Sequence, residues 1–261
     1  MVIYLAGGTV AAIDGATESP AATPPLAGKD QNRSGYQVVP VPGNPAALAL
    51  LVEKYGRLQL AEVMQPAIEL AEQGFAVTPV VAKIFAEERG KLARHSGAAR
   101  NFLKPDGAPY AAGEILRQPR LAQTLRAIAR SGPRAFYRGA LGRAMARDIA
   151  ARGGYLRAAD LAAYRALPGV VHRIPYRGYE VLTAGRRAWG GTLAEMLNIL
   201  SHFELARGEP SPLELEILAR TIAQAIEDRP QQVGSLTTKP MGYTLEEMAS
   251  PEFGRQRAEM I

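Results

Sequence analysis

One segment constrains this chain more than any other: residues 176–200, reading YRGYEVLTAGRRAWGGTLAEMLNIL. Its first part, 179–183, alternates and is β-prone, as a half-buried strand should be. Gly185 and the Gly190–Gly191 pair then supply backbone freedom that side-chain-bearing residues would resist. From Thr192 onward, Leu193, Met196, Leu197 and Leu200 recur at helical spacing. The pattern predicts a strand, a loop and a helix in tight succession. Two glycines opening a helix let another chain or a ligand come close to the backbone, and an ordinary strand–loop–helix turn has the same spacing.

At 261 residues the chain can form one large domain or two small ones with a sizeable core. A hydrophobic content of 47% and a charged content of 21% are ordinary for a soluble globular protein. No run approaches the roughly 18–20 apolar residues needed to span a bilayer. Residues 1–12 carry no basic n-region and alternate like a hairpin, so no signal peptide is expected and the chain as it stands reads as cytoplasmic. With zero cysteines, disulfides, a Cys nucleophile and thiolate metal sites are excluded. His95, His172 and His202 stand far apart without carboxylate-rich company, so surface or structural roles are expected and neither a metal nor a cofactor is. Nothing resembles a nucleophile elbow.

The net charge is +6 and most of the positive residues are arginine. Arg126, Arg130, Arg134 and Arg138 repeat every fourth position, and Arg143 and Arg147 continue the pattern. Such a stripe can bind nucleic acid. Gly132–Pro133 interrupts the register, however, and Phe136 and Tyr137 are the only aromatics nearby. Solvated helix faces are expected instead, with no nucleic-acid partner.

Three stretches organise a single region covering 1–261. Residues 1–43 read as a hairpin, with strands at 2–5 and 9–13 around Gly7–Gly8, followed by a Pro/Ala/Gly-rich wrapping loop. A further strand is expected at 37–41. Residues 44–170 read as helical. Asn44 caps and Pro45 starts a helix to Tyr55, which Gly56 stops. Pro66 should break 60–73 into two short pieces. Helices are predicted over 79–94, 119–130, 135–152 and 160–164, with a turn-rich excursion at 101–110. Residues 171–261 combine strands at 172–174 and 179–183 with C-terminal helices. There Ser211 with Glu214, and Thr244 with Glu247, form capping-box signatures. So few strands cannot complete a sheet that covers this many helices, so the fold reads as part of something larger.

Several motifs then stand in a fixed order. They are VPG at 41–43, KYG at 54–56, QPAIELAEQGF at 65–75, FLKPDGAPY at 102–110 and LRQPRLAQTLRAIARSGPRAFYRG at 116–139. After them come GGYLRAADLAAYRA at 153–166, YRGYEV…GG…MLNIL, AIEDR and SPEFGRQRAEMI. This succession resembles the large subunit of the γ-glutamyltransferase (glutathione hydrolase) family of N-terminal-nucleophile hydrolases, over nearly the whole chain. The resemblance implies a helix-rich α/β fold, namely a partial αββα sandwich whose central sheets take partner strands. Exposed sheet edges would then favour self-association.

The resemblance also implies a chemistry. Family members cleave themselves before a threonine, whose hydroxyl becomes the nucleophile and whose α-amino group is the base. Backbone amides stabilise the tetrahedral intermediate. That threonine follows the SPEF…RAEMI landmark, so here it is expected on a small-subunit-like partner, and 1–261 alone is expected to be inactive. A non-catalytic homologue serving as a binding or scaffold module is the alternative. The front is also expected to lack a Gly-rich strand of the central sheet. Thr237–Thr238 lies before the landmark and has no following histidine, so a turn is its expected role.

For substrate, transpeptidases carry an Asp-Gly-Arg-Glu-x-x-Pro-like motif whose arginine grips an α-carboxylate. This chain reads Asp14–Gly15–Ala16–Thr17–Glu18–Ser19–Pro20. Ala16 stands at the arginine's place and cannot hold a carboxylate, or the stretch is a plain Pro-terminated loop. At 185–191 the chain reads GRRAWGG where the family resembles a proline-rich run ending in Ser-Ser-Gly-Gly. Arg186 or Arg187 either compensates for the lost arginine or faces solvent, and Trp189 either lines a pocket or packs under the loop. Ala16, Thr17, Arg186, Arg187, Trp189, Gly190 and Gly191 are thus the expected substrate-binding positions. The expected substrate is a γ-glutamyl or other acyl amide, away from glutathione itself.

Overall fold

The computed structural model describes residues 1–25, 34–185, 189–206, 208–228 and 243–261. They divide into two compact units, Met1–Leu51 with Arg143–Ile261, and Val52–Gly142.

In the first unit, β1 (Val2–Tyr4) and β2 (Val10–Asp14) form the expected antiparallel hairpin, with Ile3 opposite Ala11. β5 (Leu167–Pro168) adds to the other edge of β2, pairing Pro168 with Ile13. A second hairpin joins β6 (Val171–Tyr176) to β7 (Tyr179–Ala184), His172 facing Thr183. This hairpin touches β1 and β2 and also α10 (Gly190–Leu200). The unit also holds α9 (Ala158–Ala163), α11 (Pro212–Asp228), α12 (Leu245–Met248) and α13 (Pro251–Ala258), with residues 44–51 of α1 (Asn44–Tyr55) and 143–151 of α8 (Ala140–Ala151), two helices that continue into the second unit. Ile13, Leu161, Ile174, Ile199, Ala225, Met248 and Phe253 form the buried core, and α10 packs against α11, α12 and α13.

The C-terminal helices start where their capping chemistry places them. Ser211 N–H donates to Glu214 Oε2 at 2.7 Å while Glu214 N–H donates to Ser211 Oγ at 3.3 Å. Thr244 and Glu247 repeat the exchange at 2.5 and 3.1 Å. Such reciprocal caps satisfy N–H groups that have no partner within the helix. α10 opens on the glycine pair, at Gly190, without a side-chain cap. A Cβ on Gly190 would lie 1.7 Å from the Ala184 carbonyl oxygen, so only glycine lets the helix start against the end of β7.

The second unit holds α2 (Leu60–Gln73), β3 (Phe75–Ala76), α3 (Pro79–Glu87), α4 (Arg89–Ala93), α5 (Ser96–Phe102), β4 (Ile115–Leu116), α6 (Pro119–Ser131) and α7 (Arg134–Tyr137). β3 pairs with β4, and α2 lies along α6. Contrary to expectation, α2 runs unbroken through Pro66. An internal proline costs about 3 kcal/mol. Burying a large apolar side chain such as Ile68 returns about 1.5–3 kcal/mol. Ala71 is buried as well, and Glu72 pairs with Arg126 of α6. Tertiary packing therefore outweighs the local preference.

Three further expectations are corrected. The helix predicted over 79–94 is two, broken at Glu88, whose φ of −90° and ψ of 5° leave the helical well. α5 follows it unannounced. The helix predicted over 135–152 is interrupted at Arg138 and Gly139, whose N–H groups both turn back to the Arg134 carbonyl at 2.9 Å. The strand expected at 37–41 is a 3₁₀ turn, Tyr36–Val38, followed by a single bridge between Val41 and Glu18. Pro40 and Pro42 flank Val41 without an N–H, so no ladder can extend from it.

Candidate functional site

A cleft of about 430 Å³ opens within the first unit. Asp14 and Gly15 at the end of β2, Ala16, the start of α1, and Ala184 with Gly185 at the end of β7 all line it. The floor of this site is set by local hydrogen bonding. Asp14 Oδ1 accepts the Ala16 N–H at 2.9 Å, closing an Asx turn, and the Ala16 carbonyl accepts the Tyr164 hydroxyl at 2.8 Å. The turn lies hard against the entry to α1: a Cβ on Gly43 would stand 2.0 Å from the Gly15 carbonyl oxygen. Glycine is required for that approach.

The cleft wall is largely apolar, built from Ile13, Ala47, Leu48 and Ala184. Asn44 at the positive end of α1 adds polarity, and Asp14 is the one ionisable side chain among the described lining residues. No Ser, Thr, Cys, His or Lys side chain is among them.

Of the expected site residues, Ala16 sits half-buried in this cleft beside Gly185. Thr17 is exposed and does not line it. Gly190 and Gly191 are buried at the start of α10, where Gly190 abuts Ala184, a residue of the cleft wall. Trp189, just before them, is 56% exposed. Arg186, Arg187, Thr237 and Thr238 lie outside the described residues. The His172 ring packs against Gly185, where a Cβ would be 2.3 Å from Nε2, and that nitrogen is buried with no hydrogen-bond partner among the described residues. Among the described residues no cluster of His, Asp and Glu could hold a metal, and no helix is long and apolar enough to cross a membrane.

Sequence reasoning missed a second polar assembly, built on α10, α11 and α13. Glu195, the one charged residue of α10, is 0% exposed, and neither carboxyl oxygen has a hydrogen-bond partner among the described residues. Asp228, at the end of α11, is bound by Arg257 of α13 through Nε at 2.5 Å and Nη2 at 3.0 Å, and by Gln224 Nε2 at 2.8 Å. Arg257 is in turn stacked by Tyr243 and Phe253, 5.0 and 4.4 Å from the ring centroids. Burial first, then the neighbouring Asp228 carboxyl group, push the Glu195 carboxyl up to about 9, with Arg257 opposing. A protonated Glu195 can donate to the Asp228 carboxylate, which favours the neutral form further. Glu195 thus keeps its proton at neutral pH. The available signal was a lone carboxylate inside the otherwise apolar run LAEMLNIL.

This architecture is that of the N-terminal-nucleophile hydrolases in their γ-glutamyltranspeptidase form. The solved γ-glutamyltranspeptidase of Helicobacter pylori superposes with a TM-score of 0.88 at 27% identity, covering 100% of this chain and 77% of that one. A cephalosporin acylase from Bacillus halodurans superposes at 0.83 with 29% identity, covering 100% of this chain and 50% of that one. The gamma-glutamyltranspeptidase family model matches residues 1–261, and the chain belongs to that family. The acylase ACY 1 proenzyme of Pseudomonas sp. (strain SE83) is 40% identical over 201 residues, covering 76% of this chain and 36% of that protein. The glutathione hydrolase proenzyme of Escherichia coli (strain K12) is 34% identical over 198 residues, covering 74% of this chain and 34% of that protein. The chain thus matches little more than a third of the length of these curated relatives.

Proposed function

We propose that this chain is the framework and substrate-cleft part of an N-terminal-nucleophile amidohydrolase or acyltransferase of the γ-glutamyltransferase type. A threonine beyond residues 1–261, on a small-subunit-like chain, supplies the nucleophile. Its hydroxyl attacks the amide carbonyl, the α-amino group takes the proton and passes it to the departing amine, and water or a second amine then receives the acyl group. The substrate is a small acyl amide, and the cleft around Ala16 takes the acyl side.

One observation carries the substrate reading: Ala16 lies in a largely apolar cleft whose described lining side chains include no cation, and the Met1 amino group at its edge is already bound to the Ile13 carbonyl at 2.8 Å. A γ-glutamyl group brings a free α-carboxylate, and a buried carboxylate without a cation is costly. An acyl group without that charge fits better. The 40% identity to a protein named as an acylase supports the same direction. Trp189, Thr17, Gly190, Gly191, Arg186 and Arg187 remain proposed contributors to substrate binding.

The test assays residues 1–261 alone and together with the threonine-bearing chain, on a γ-glutamyl anilide and on an acyl anilide lacking the α-carboxylate. The expected outcome is no turnover by the isolated chain, turnover with the partner, and preference for the uncharged acyl group. Turnover by the isolated chain that disappears in Thr237→Ala or Thr238→Ala would overturn the assignment of the nucleophile.

A further inference from the structure

The positive charge of this chain is unevenly placed. Val52–Gly142 contains fourteen Lys and Arg against eight Asp and Glu, a surplus equal to the whole net charge of +6. Half of the six-arginine stripe found in the sequence is engaged. Arg126 pairs with Glu72 of α2, and Arg138 and Arg143 each have partners of their own. Arg130 and Arg134 differ: neither guanidinium has a hydrogen-bond or ion-pair partner among the described residues.

These two residues face one hollow. Gly132, with φ of 65°, turns the chain between the end of α6 and the start of α7. As a result Arg130 and Arg134 line a cleft of about 520 Å³ together with Ser131. Ala140 and Leu141, in the first turn of the twelve-residue α8, close its other side. No carboxylate is among the lining residues. Neither guanidinium is therefore offset by a carboxylate of the cleft wall. Planar guanidinium forks match the oxygens of phosphate and carboxylate groups, and Ser131 adds a hydroxyl donor. A helix start adds partial positive charge of the same sign.

We propose that this cleft binds a small oxyanion, a phosphate or a carboxylate, between Arg130 and Arg134. The site is separate from the acyl cleft and does not rest on the proposed reaction. Its ligand is a small molecule or substituent carrying such a group, since the hollow is a local one rather than a track along the stripe.

The experiment titrates the 261-residue chain with inorganic phosphate, with pyrophosphate and with citrate, following binding by calorimetry at low salt. Two double variants are compared: Arg130→Ala with Arg134→Ala, and, as an equal loss of charge elsewhere, Lys83→Ala with Lys91→Ala. Saturable binding is expected, weakened about tenfold or more in the arginine variant, as loss of ~1.4 kcal/mol of charge-assisted bonding predicts. The lysine variant should change it less than about twofold. Tighter binding of the phosphates or of citrate identifies which oxyanion chemistry the forks prefer and supports the site either way. Equal weakening in the two variants, or binding that never saturates, would reduce the cleft to diffuse surface charge. Melting curves of the variants matching that of the unmodified chain keep misfolding from imitating the expected loss.

Discussion

Replacing Glu195 by glutamine tests the buried assembly of Glu195, Asp228 and Arg257 most directly. Glutamine keeps the shape of the protonated acid but has no proton to lose. The Glu195 carboxyl is raised from 4.5 to about 9 in the folded protein. Between these values the folded state holds a proton that the unfolded chain has released. By linkage, stability falls as pH rises through that window, by about 1.4 kcal/mol per pH unit. It is highest below the unfolded value and levels off above the folded one. The cost therefore amounts to roughly 3 kcal/mol at pH 7 and about 6 kcal/mol near pH 9. Glu195→Gln removes it. Urea unfolding followed by far-UV circular dichroism at about pH 5, 7 and 9 measures the difference. Trp189, 56% exposed, is a poor probe of burial and is not used. The variant should match the parent within about 1 kcal/mol at pH 5 and exceed it by about 3 kcal/mol at pH 7. Two curves that decline in parallel would show that Glu195 is already ionised in the folded protein, and the reasoning would fail.

Two other expectations follow from the same description. Arg257→Ala leaves the Asp228 carboxylate buried without its cation, and should cost about 3–5 kcal/mol in the same unfolding assay; a loss below about 1 kcal/mol would mean that water reaches the pair. Ala16→Arg, in the complete enzyme, should raise kcat/KM for substrates carrying a free α-carboxylate by restoring a cation to the cleft, and an unchanged or lower value counts against the placement of Ala16 there.

Much of the framework was legible because its signals are local. Ser211 with Glu214, Thr244 with Glu247, and Thr78 before Pro79 each mark a helix start within four residues, and the structure begins helices there. The hairpin at β1–β2 and the strands β6 and β7 followed from alternation. The misreadings have different causes: distant packing overrules a local preference at Pro66, no residue type announces the break at Glu88, and Pro40, Pro42 and Gly139 are local signals that the periodicity masked. Pro66 stays helical because α6 lies alongside, and Glu88 ends α3 without a glycine or proline of its own. The candidate site divides the same way. Ala16 was singled out because the stretch from Asp14 to Pro20 departs from a known pattern at Ala16 and Thr17. The Glu195 assembly was not, since Asp228 and Arg257 meet across twenty-nine positions and α10 joins them only in three dimensions. Arg130 and Arg134 were noticed as a stripe, but only the turn at Gly132 shows that they share a hollow.

The first unit is discontinuous: β2 pairs with β5 only after the whole of Val52–Gly142 has been synthesised. During translation the inserted block can collapse on its own contacts while the hairpin ahead of it waits for its third strand. Closing so long an excursion is slow but thermodynamically lenient, since each doubling of its length adds only about 0.6 kcal/mol. Lengthening or trimming the surface turns of the insert should therefore leave the final register of β2 and β5 intact and change mainly how long the nascent chain waits to reach it.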